Sequence, residues 1–374
     1  MPTPAALTLA AYFHDLDPVL IHLGPLAIRW YGLSYVLGFV VGYLLLSFLA
    51  RRTLIALPPH RVADAMIWLI AGTIIGGRIG YALVYDQALF ITFRSAPPFW
   101  DLLALHKGGM ASHGGMIGLA LAAWRISRGW FDPSTGLVEG RCSWREVADA
   151  LSLVAPFGIF FGRIANFING ELLGAIVAAP GQSAPQPVPQ PVPWWSVRFP
   201  QELVSGHAPK LDPVQAAALD ALLVDVSRAQ ATLTGGPGLT RFQALDVLVA
   251  KAAQYRPQLE PLLSARHPSQ LYQAVGEGLL VAAVVWTIAA RRVRAGLVAG
   301  AWITTYGVAR IVTELYRLPD AQFVVQRPLG LSRGQWLSVL MVAIGLTIIT
   351  LVLRAKRTEH GPITHLGWLK RTPA

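Results

Sequence analysis

Charge is what this sequence has least of. Only 14% of its 374 residues are Asp, Glu, Lys or Arg, against roughly a quarter in soluble domains, and 54% are hydrophobic. That shortfall excludes an ordinary soluble globular protein and implies a polytopic one whose solvent is the lipid bilayer. Cysteine is nearly absent too. Cys142 stands alone, which excludes an intrachain disulfide framework, and it falls in an expected cytoplasmic loop, too far from the candidate site to be a nucleophile. Lys and Arg are missing from the first twenty-eight residues, so the basic n-region of a signal peptide is not there and none is expected. A net charge of +11 would suggest nucleic acid in a soluble protein. Here the arginines cluster at the ends of apolar segments, so the excess reports topology, and no nucleic-acid partner is expected.

Seven apolar segments of spanning length can be drawn, at 27–50, 62–84, 110–128, 147–167, 269–290, 296–316 and 334–354, since a span needs ~17–25 residues. The third is diluted by Gly114, Gly115 and Gly118. With the N-terminus outside, the inside loops hold Arg51, Arg52, Arg61, Arg125, Arg128, Arg141, Arg145, Arg291, Arg292, Arg294, Arg354, Lys356 and Arg357. The short outside loops hold only Arg94, Lys107, Arg317, Arg327 and Arg333. Basic residues stay inside, which puts the N-terminus in the periplasm and the C-terminus in the cytoplasm. The expected fold class is therefore an all-α polytopic membrane protein of seven transmembrane helices. Its expected parts are helices 1–4 over 1–174, a periplasmic arm over 175–266, helices 5–7 over 267–357 and a cytoplasmic tail over 358–374. The arm opens with a proline-rich tract, 185–193, which reads as an extended polyproline II spacer. Two amphipathic helices should follow, one capped at Asp212-Pro213 and carrying Ala217, Leu219, Leu222 and Leu223, the other opening near Thr240 and carrying Leu245, Val247, Leu248 and Ala252. The bland reading of this arm is a solvated accessory.

One stretch organises the rest: Gly162-Arg163-Ile164-Ala165-Asn166-Phe167-Ile168-Asn169-Gly170-Glu171-Leu172-Leu173-Gly174. It sets an arginine, two asparagines and a glutamate where lipid would demand Leu or Val. Ionisable groups at membrane depth mark functional sites by default. A snorkelling Arg163 is the alternative, but such an arginine needs neither Asn166 nor Gly170 one and two turns on. The sixth segment adds Tyr306, Arg310 and Glu314, spaced i, i+4, i+8 on one helical stripe; Arg310 and Glu314 can pair, and a purely structural ion pair is the competing account. At 1.5 Å per residue, Arg310 sits ~21 Å and Arg163 ~24 Å from the cytoplasmic end of its segment. Both therefore reach the outer edge of a core ~30 Å thick, at the level of lipid phosphates. Two guanidiniums from separate helices make a clamp for a phosphodiester. Arg78 either widens that clamp or anchors its helix.

His113, beside Gly114 and Gly115, is a candidate proton acceptor or a structural hydrogen-bonder; no His-x-x-x-His or Cys pair accompanies it, so metal is not expected there. Tyr31 follows Trp30, whose bland role is an interfacial belt. Ser269 or His267 reads best as a cap on the fifth segment. Glu277, inside that segment, needs a positive partner and is a candidate counter-ion to the arginines.

The thirteen-residue stretch resembles the signature of the prolipoprotein diacylglyceryl transferases, G-R-x-[GA]-N-F-x-N-x-E-x-x-G, and fills every fixed position. Trp30-Tyr31-Gly32-Leu33, Gly76-Gly77-Arg78-Ile79-Gly80-Tyr81, His113-Gly114-Gly115, Arg266-His267-Pro268-Ser269-Gln270-Leu271-Tyr272, Tyr306-Gly307-Val308-Ala309-Arg310 through Glu314, and Pro319-Asp320-Ala321-Gln322 are similar to that family as well, in family order over about three quarters of the chain. The resemblance implies phosphatidylglycerol as lipid donor and the lipobox cysteine of a prolipoprotein signal peptide as acceptor. It implies a multi-pass protein of the bacterial inner membrane with its active site toward the periplasmic leaflet. It implies that Arg163 and Arg310 are the essential lipid-binding pair and that His113, Tyr31, Asn166 and Tyr306 line the site. Arg78, Gly114, Glu171, Gly174 and Glu314 complete the candidate substrate-binding set. Gln273 departs from the pattern, standing where many members have Glu. In the implied chemistry a thiolate attacks the glycerol carbon bearing the phosphate ester, with His113 as first candidate base, the arginine field as second, and no metal or cofactor. An anion or lipid transporter using Arg163 and Arg310 as a phosphate site is the rival reading, and an envelope scaffold would leave both arginines unexplained.

Overall fold

Backbone amides surrounded by lipid must be satisfied within their own segment, which is why the apolar runs of this chain coil into helices. The structure is a computed structural model, and it describes residues 11–24, 26–95, 97–105, 108–181, 192–208, 210–291, 293–318, 328–355 and 366. Its principal helices are α1 (Trp30–Arg51), α2 (Val62–Val84), α3 (Ser112–Ser127), α4 (Trp144–Asn169), α5 (Pro213–Thr234), α6 (Arg241–Ala250), α7 (Ser269–Ala289), α8 (Leu297–Thr313) and α9 (Arg333–Arg354). Five of them, α1, α2 with the turn before it, α4, α7 and α9, are long and apolar enough to cross a membrane. The chain is a helical, polytopic membrane protein. The third and sixth expected spans correspond to α3 and α8, which have 16 and 17 residues of regular helix. At 1.5 Å per residue these are ~24–26 Å long, and a 3-10 turn over Glu314–Tyr316 continues α8.

Short strands accompany the helices, an addition to the expected all-α fold. Short strands at Tyr12–Phe13, Val197–Arg198, Ala265–Arg266 and Ile176–Ala178 pair, in that order, into one sheet. The first pair is parallel and the other two antiparallel. Two further hairpins join Val19–Leu23 to Leu26–Arg29 and Trp130–Asp132 to Leu137–Glu139. Strands of two to five residues carry too little alternation to be read from sequence.

The chain divides into two compact units, one of 1–35, 159–279 and 306–340, the other of 36–158, 280–305 and 341–374. In the first, α5 and α6 open as expected at Asp212 and Thr240, each with a reciprocal capping box to the glutamine three residues on that satisfies otherwise orphaned amides. They bury Leu219, Leu222, Leu223, Val226 and Leu248 against Phe13, Leu259 and Leu263; Ala217, expected on the buried face, is exposed. Most of the proline-rich tract, its residues 185–191, lies outside the described residues. Arg266 is fully buried, and its Nε donates to Glu202 Oε2 at 2.5 Å. His14, 1% exposed, donates from Nε2 to the Phe167 carbonyl at 2.7 Å, because a carbonyl can only accept.

In the second unit the glycines that dilute the third segment turn out to be its packing surface. A Cβ on Gly118 would collide with the Gly72 carbonyl, one on Gly114 with the Gly76 carbonyl, and one on Gly80 would lie 2.7 Å from Gly114 Cα. Helices α2 and α3 therefore meet backbone to backbone, as small residues permit between membrane helices. Asp149, 1% exposed, accepts from the amides of Gly296 and Ala299 at 2.8 Å each, holding the turn into α8.

Two outcomes follow from these contacts. Gly118→Ala forces overpacking worth about 1–3 kcal/mol, so its thermal midpoint in detergent should fall; an unchanged midpoint would refute the backbone contact. Burial holds the His14 imidazole below its ordinary pKa. A base depressed in the folded state is protonated preferentially in the unfolded one, so its contribution is complete above about pH 6.5 and fades as pH falls through that value. His14→Gln should flatten this part of the midpoint's pH dependence, leaving the share of His267, which burial lowers likewise.

Candidate active site

The signature stretch is the end of α4 and the turn after it. The helix stops at Asn169 because Gly170 takes a left-handed φ of 65°, a conformation that costs glycine nothing. The chain then folds back so that Asn166 Nδ2 donates to Glu171 Oε2 at 2.9 Å and Asn169 Nδ2 to Oε1 at 3.1 Å. Both asparagines of the motif thus hold one carboxylate. The carbonyls of the turn are capped by another stretch: Arg266 Nη1 donates to Gly174 at 3.1 Å, Ser269 Oγ to Leu172 at 2.9 Å, and Gln270 Nε2 to Glu171. The expectation that Ser269 or His267 caps its own helix is corrected here, since the N-cap is Pro268 with no side-chain bond. Gly174 is needed sterically, as a Cβ there would run into the His267 carbonyl. A groove of about 850 Å³ borders this turn, walled by Glu171, Gln201, His207 and Arg317 among others.

The arginines of two helices meet at a third. Glu277 of α7 is fully buried. It accepts from Arg163 Nη2 at 2.9 Å and Nε at 3.3 Å, from Arg310 Nη1 at 3.1 Å, and from Thr313 Oγ1 at 2.8 Å. Each guanidinium keeps 15% of its side chain exposed. Arg310 also pairs with Glu314 at 3.3 Å, the i, i+4 contact expected from the sequence, and Glu314 in turn pairs with Arg317 at 3.5 Å and accepts from Ser332 Oγ. Glu314 is thus the link between the end of α8 and the start of α9. The Tyr306 phenol stands within hydrogen-bonding reach of Arg163 and in the field of Glu277 and Arg310. Tyr31, bonded to Tyr35 through their hydroxyls, lies in the field of Glu171 and Arg163.

Tyr31, Arg163, Asn166, Glu171, Gly174, Tyr306, Arg310 and Glu314 all belong to the first unit; Arg78, His113 and Gly114 belong to the second. His113 is exposed in the first turn of α3. Gly114 serves the contact with α2 already described. Arg78, 5% exposed, gives its donors to the carbonyls of Leu102, Gly108, Gly109 and Asp101 at 2.5–3.0 Å. It anchors the loop between α2 and α3, and a place in the clamp would require that loop to surrender those bonds. The Cys142 thiol is half-buried and pushed up to about 11 by that burial, which keeps it protonated and inert. Three participants escaped the sequence reading. Thr313 lies one turn before Arg317 with nothing to single it out, and Gln270 and Arg266 gave no sign that they hold the signature turn. No group of three His, Cys, Asp or Glu side chains that could hold a metal occurs among the described residues.

Two largely enclosed guanidiniums thus share one buried carboxylate, and comparison with known proteins supplies the family. Residues 18–351 match the family model described as prolipoprotein diacylglyceryl transferase. The chain belongs to the prolipoprotein diacylglyceryl transferase family. Among similar relatives, the phosphatidylglycerol–prolipoprotein diacylglyceryl transferase of Bdellovibrio bacteriovorus is 36% identical over 91% of this chain and 94% of its own. Those of Rhodospirillum rubrum and Neisseria gonorrhoeae are each 33% identical, over 94% and 93% of this chain and 97% and 99% of their own. The chain spans 94–99% of the length of these relatives.

Proposed function

We propose that this chain transfers the diacylglyceryl group of phosphatidylglycerol to the lipobox cysteine of prolipoproteins, and that Arg163 and Arg310 bind the lipid phosphate. The observation that carries this reading is the convergence of the two guanidiniums, from α4 and α8, on one buried carboxylate. The carboxylates take only part of the ten N–H donors that two arginines offer, so phosphate oxygens can be held at the same place. Family membership leaves the transporter alternative without support.

The cysteine sulfur forms a C–S bond to the glycerol carbon that carries the phosphate ester. The C–O bond to that ester breaks, and its electron pair leaves with glycerol phosphate. The thiol proton must go first, because the thiolate is the nucleophile; His113 accepts it, or the cationic field of the arginines lowers its cost. Charge grows on the leaving oxygen as the bond breaks, and preorganised guanidiniums in a site of low dielectric stabilise it. Asn166 and Asn169 fix Glu171, and Tyr31 and Tyr306 complete the lining. The same reading includes seven spans, an N-terminus outside, a 175–266 arm in the periplasm and an inner-membrane site facing the periplasmic leaflet, supported by the distribution of basic residues.

Arg163→Ala and Arg310→Ala should each lower turnover of phosphatidylglycerol and a lipobox peptide by about 100-fold or more. Mass analysis of the peptide cysteine reads this, and a folded variant that keeps its activity sinks the clamp. His113→Gln separates the two proton routes: a large loss of kcat favours the imidazole, near-normal turnover the arginine field.

A further inference from the structure

We infer that Glu277 is the positioning residue of this site: it sets the spacing and the net charge of the arginine clamp, and α7 is locally rewound to deliver it. The inference rests on the clamp reading above and goes beyond it.

The local backbone comes first. Between Ala274 and Leu280, α7 leaves the α-helical pattern for a π-helix, a conformation that is rare and concentrated at functional sites. Glu277 stands in the middle of it, flanked by Gly276 and Gly278. These glycines face different neighbours. A Cβ on Gly278 would lie 2.8 Å from Phe160 Cβ and 3.1 Å from its Cα, in α4; one on Gly276 would lie 3.2 Å from Thr313 Cγ2, in α8. Two missing side chains let α7 settle against both arginine-bearing helices at the level of Glu277. The side chain then reaches Arg163 through Oε2 and Arg310 through Oε1 at 3.1 Å and Oε2 at 3.4 Å, and the Thr313 hydroxyl fixes its rotation.

Electrostatics gives this placement a purpose. Two guanidiniums left side by side in a medium of low dielectric repel each other, and each long side chain has many rotamers to occupy. A carboxylate shared between them converts repulsion into mutual attraction and leaves both forks pointing from one place. Glu277 offsets one of the two positive charges that Arg163 and Arg310 bring, so its removal changes the charge that a phosphodiester meets there. A purely structural counter-ion would contribute to folding alone; a positioning residue acts on the chemical step.

Two substitutions separate these roles. Glu277→Gln keeps the reach and removes the charge; Glu277→Asp keeps the charge and withdraws it by one methylene. With phosphatidylglycerol and a lipobox peptide as substrates, each variant should lose about tenfold or more in kcat per folded molecule, with KM for phosphatidylglycerol unchanged within about threefold or lowered. Thermal midpoints give the folded fraction, and if the Gln variant does not fold, the Asp variant decides by itself. A kcat within about threefold of the parent, or a loss confined to KM, overturns the positioning role. Arg163→Ala in the same assay keeps the failures distinct. If it too retains turnover, the clamp reading falls; if it is inactive while both Glu277 variants turn over normally, only the role of Glu277 falls.

Discussion

A carboxylate buried between two arginines is the constraint on which the rest of this molecule turns. Burying one ion costs several kcal/mol, and burying a pair repays that cost only when the geometry is good and the remaining donors and acceptors are satisfied. Here three helices meet that condition together. Glu277 contributes the charge, Arg163 and Arg310 the donors, and Thr313 the last hydrogen bond. Removing Glu277 leaves two guanidiniums facing each other without the carboxylate they share. The packing of α4, α7 and α8 in this unit is consequently tied to the composition of the site, and neither can change without the other.

A second layer of polar contacts holds the signature turn with comparable strictness. The turn has orphan carbonyls, because a helix end and two left-handed residues, Gly170 and Leu172, leave few internal partners. Arg266, Ser269 and Gln270 supply donors to Gly174, Leu172 and Glu171. Arg266 is itself locked by Glu202 from the segment between the signature and α7. That segment is therefore joined to the turn through a fully buried ion pair. His14 extends the same logic to the N-terminal stretch, whose imidazole reads the Phe167 carbonyl of α4.

Sequence reasoning reached the helical, polytopic membrane class and singled out the two arginines because both leave local signals. Long apolar runs are their own evidence of spanning helices, and Arg, Asn and Glu inside such runs are conspicuous by cost alone. The capping boxes at Asp212 and Thr240 were legible for a similar reason, since the capping residue and its glutamine partner are three positions apart. What was not legible depends on distant neighbours. The sheet joins residues 12–13 to 197–198 and 265–266, pairings that no local pattern encodes. Gly114 and Gly118 weaken the hydropathy of their segment while supplying its packing surface, so the feature that obscures the span in sequence is the one that seats it in the fold. Arg78 reads by its approximate height either as widening the clamp or as an anchor, and the carbonyls that occupy it come from a loop whose course only the fold reveals.

Glycine placement links these observations. At Gly118 and Gly114 the missing Cβ lets two backbones meet; at Gly276 and Gly278 it admits neighbouring helices on either side of one glutamate; at Gly170 it permits the turn that brings Glu171 back to Asn166 and Asn169. Membrane helices gain no hydrophobic energy from packing against one another rather than against lipid. Close backbone approach is then the main route to dispersion contacts, and it has a further consequence for charge. Side chains that project from tightly approximated helices have little room to reorient, so a guanidinium or carboxylate placed there is held where the chain puts it. In this protein the residues with no side chain define where the charged ones can be.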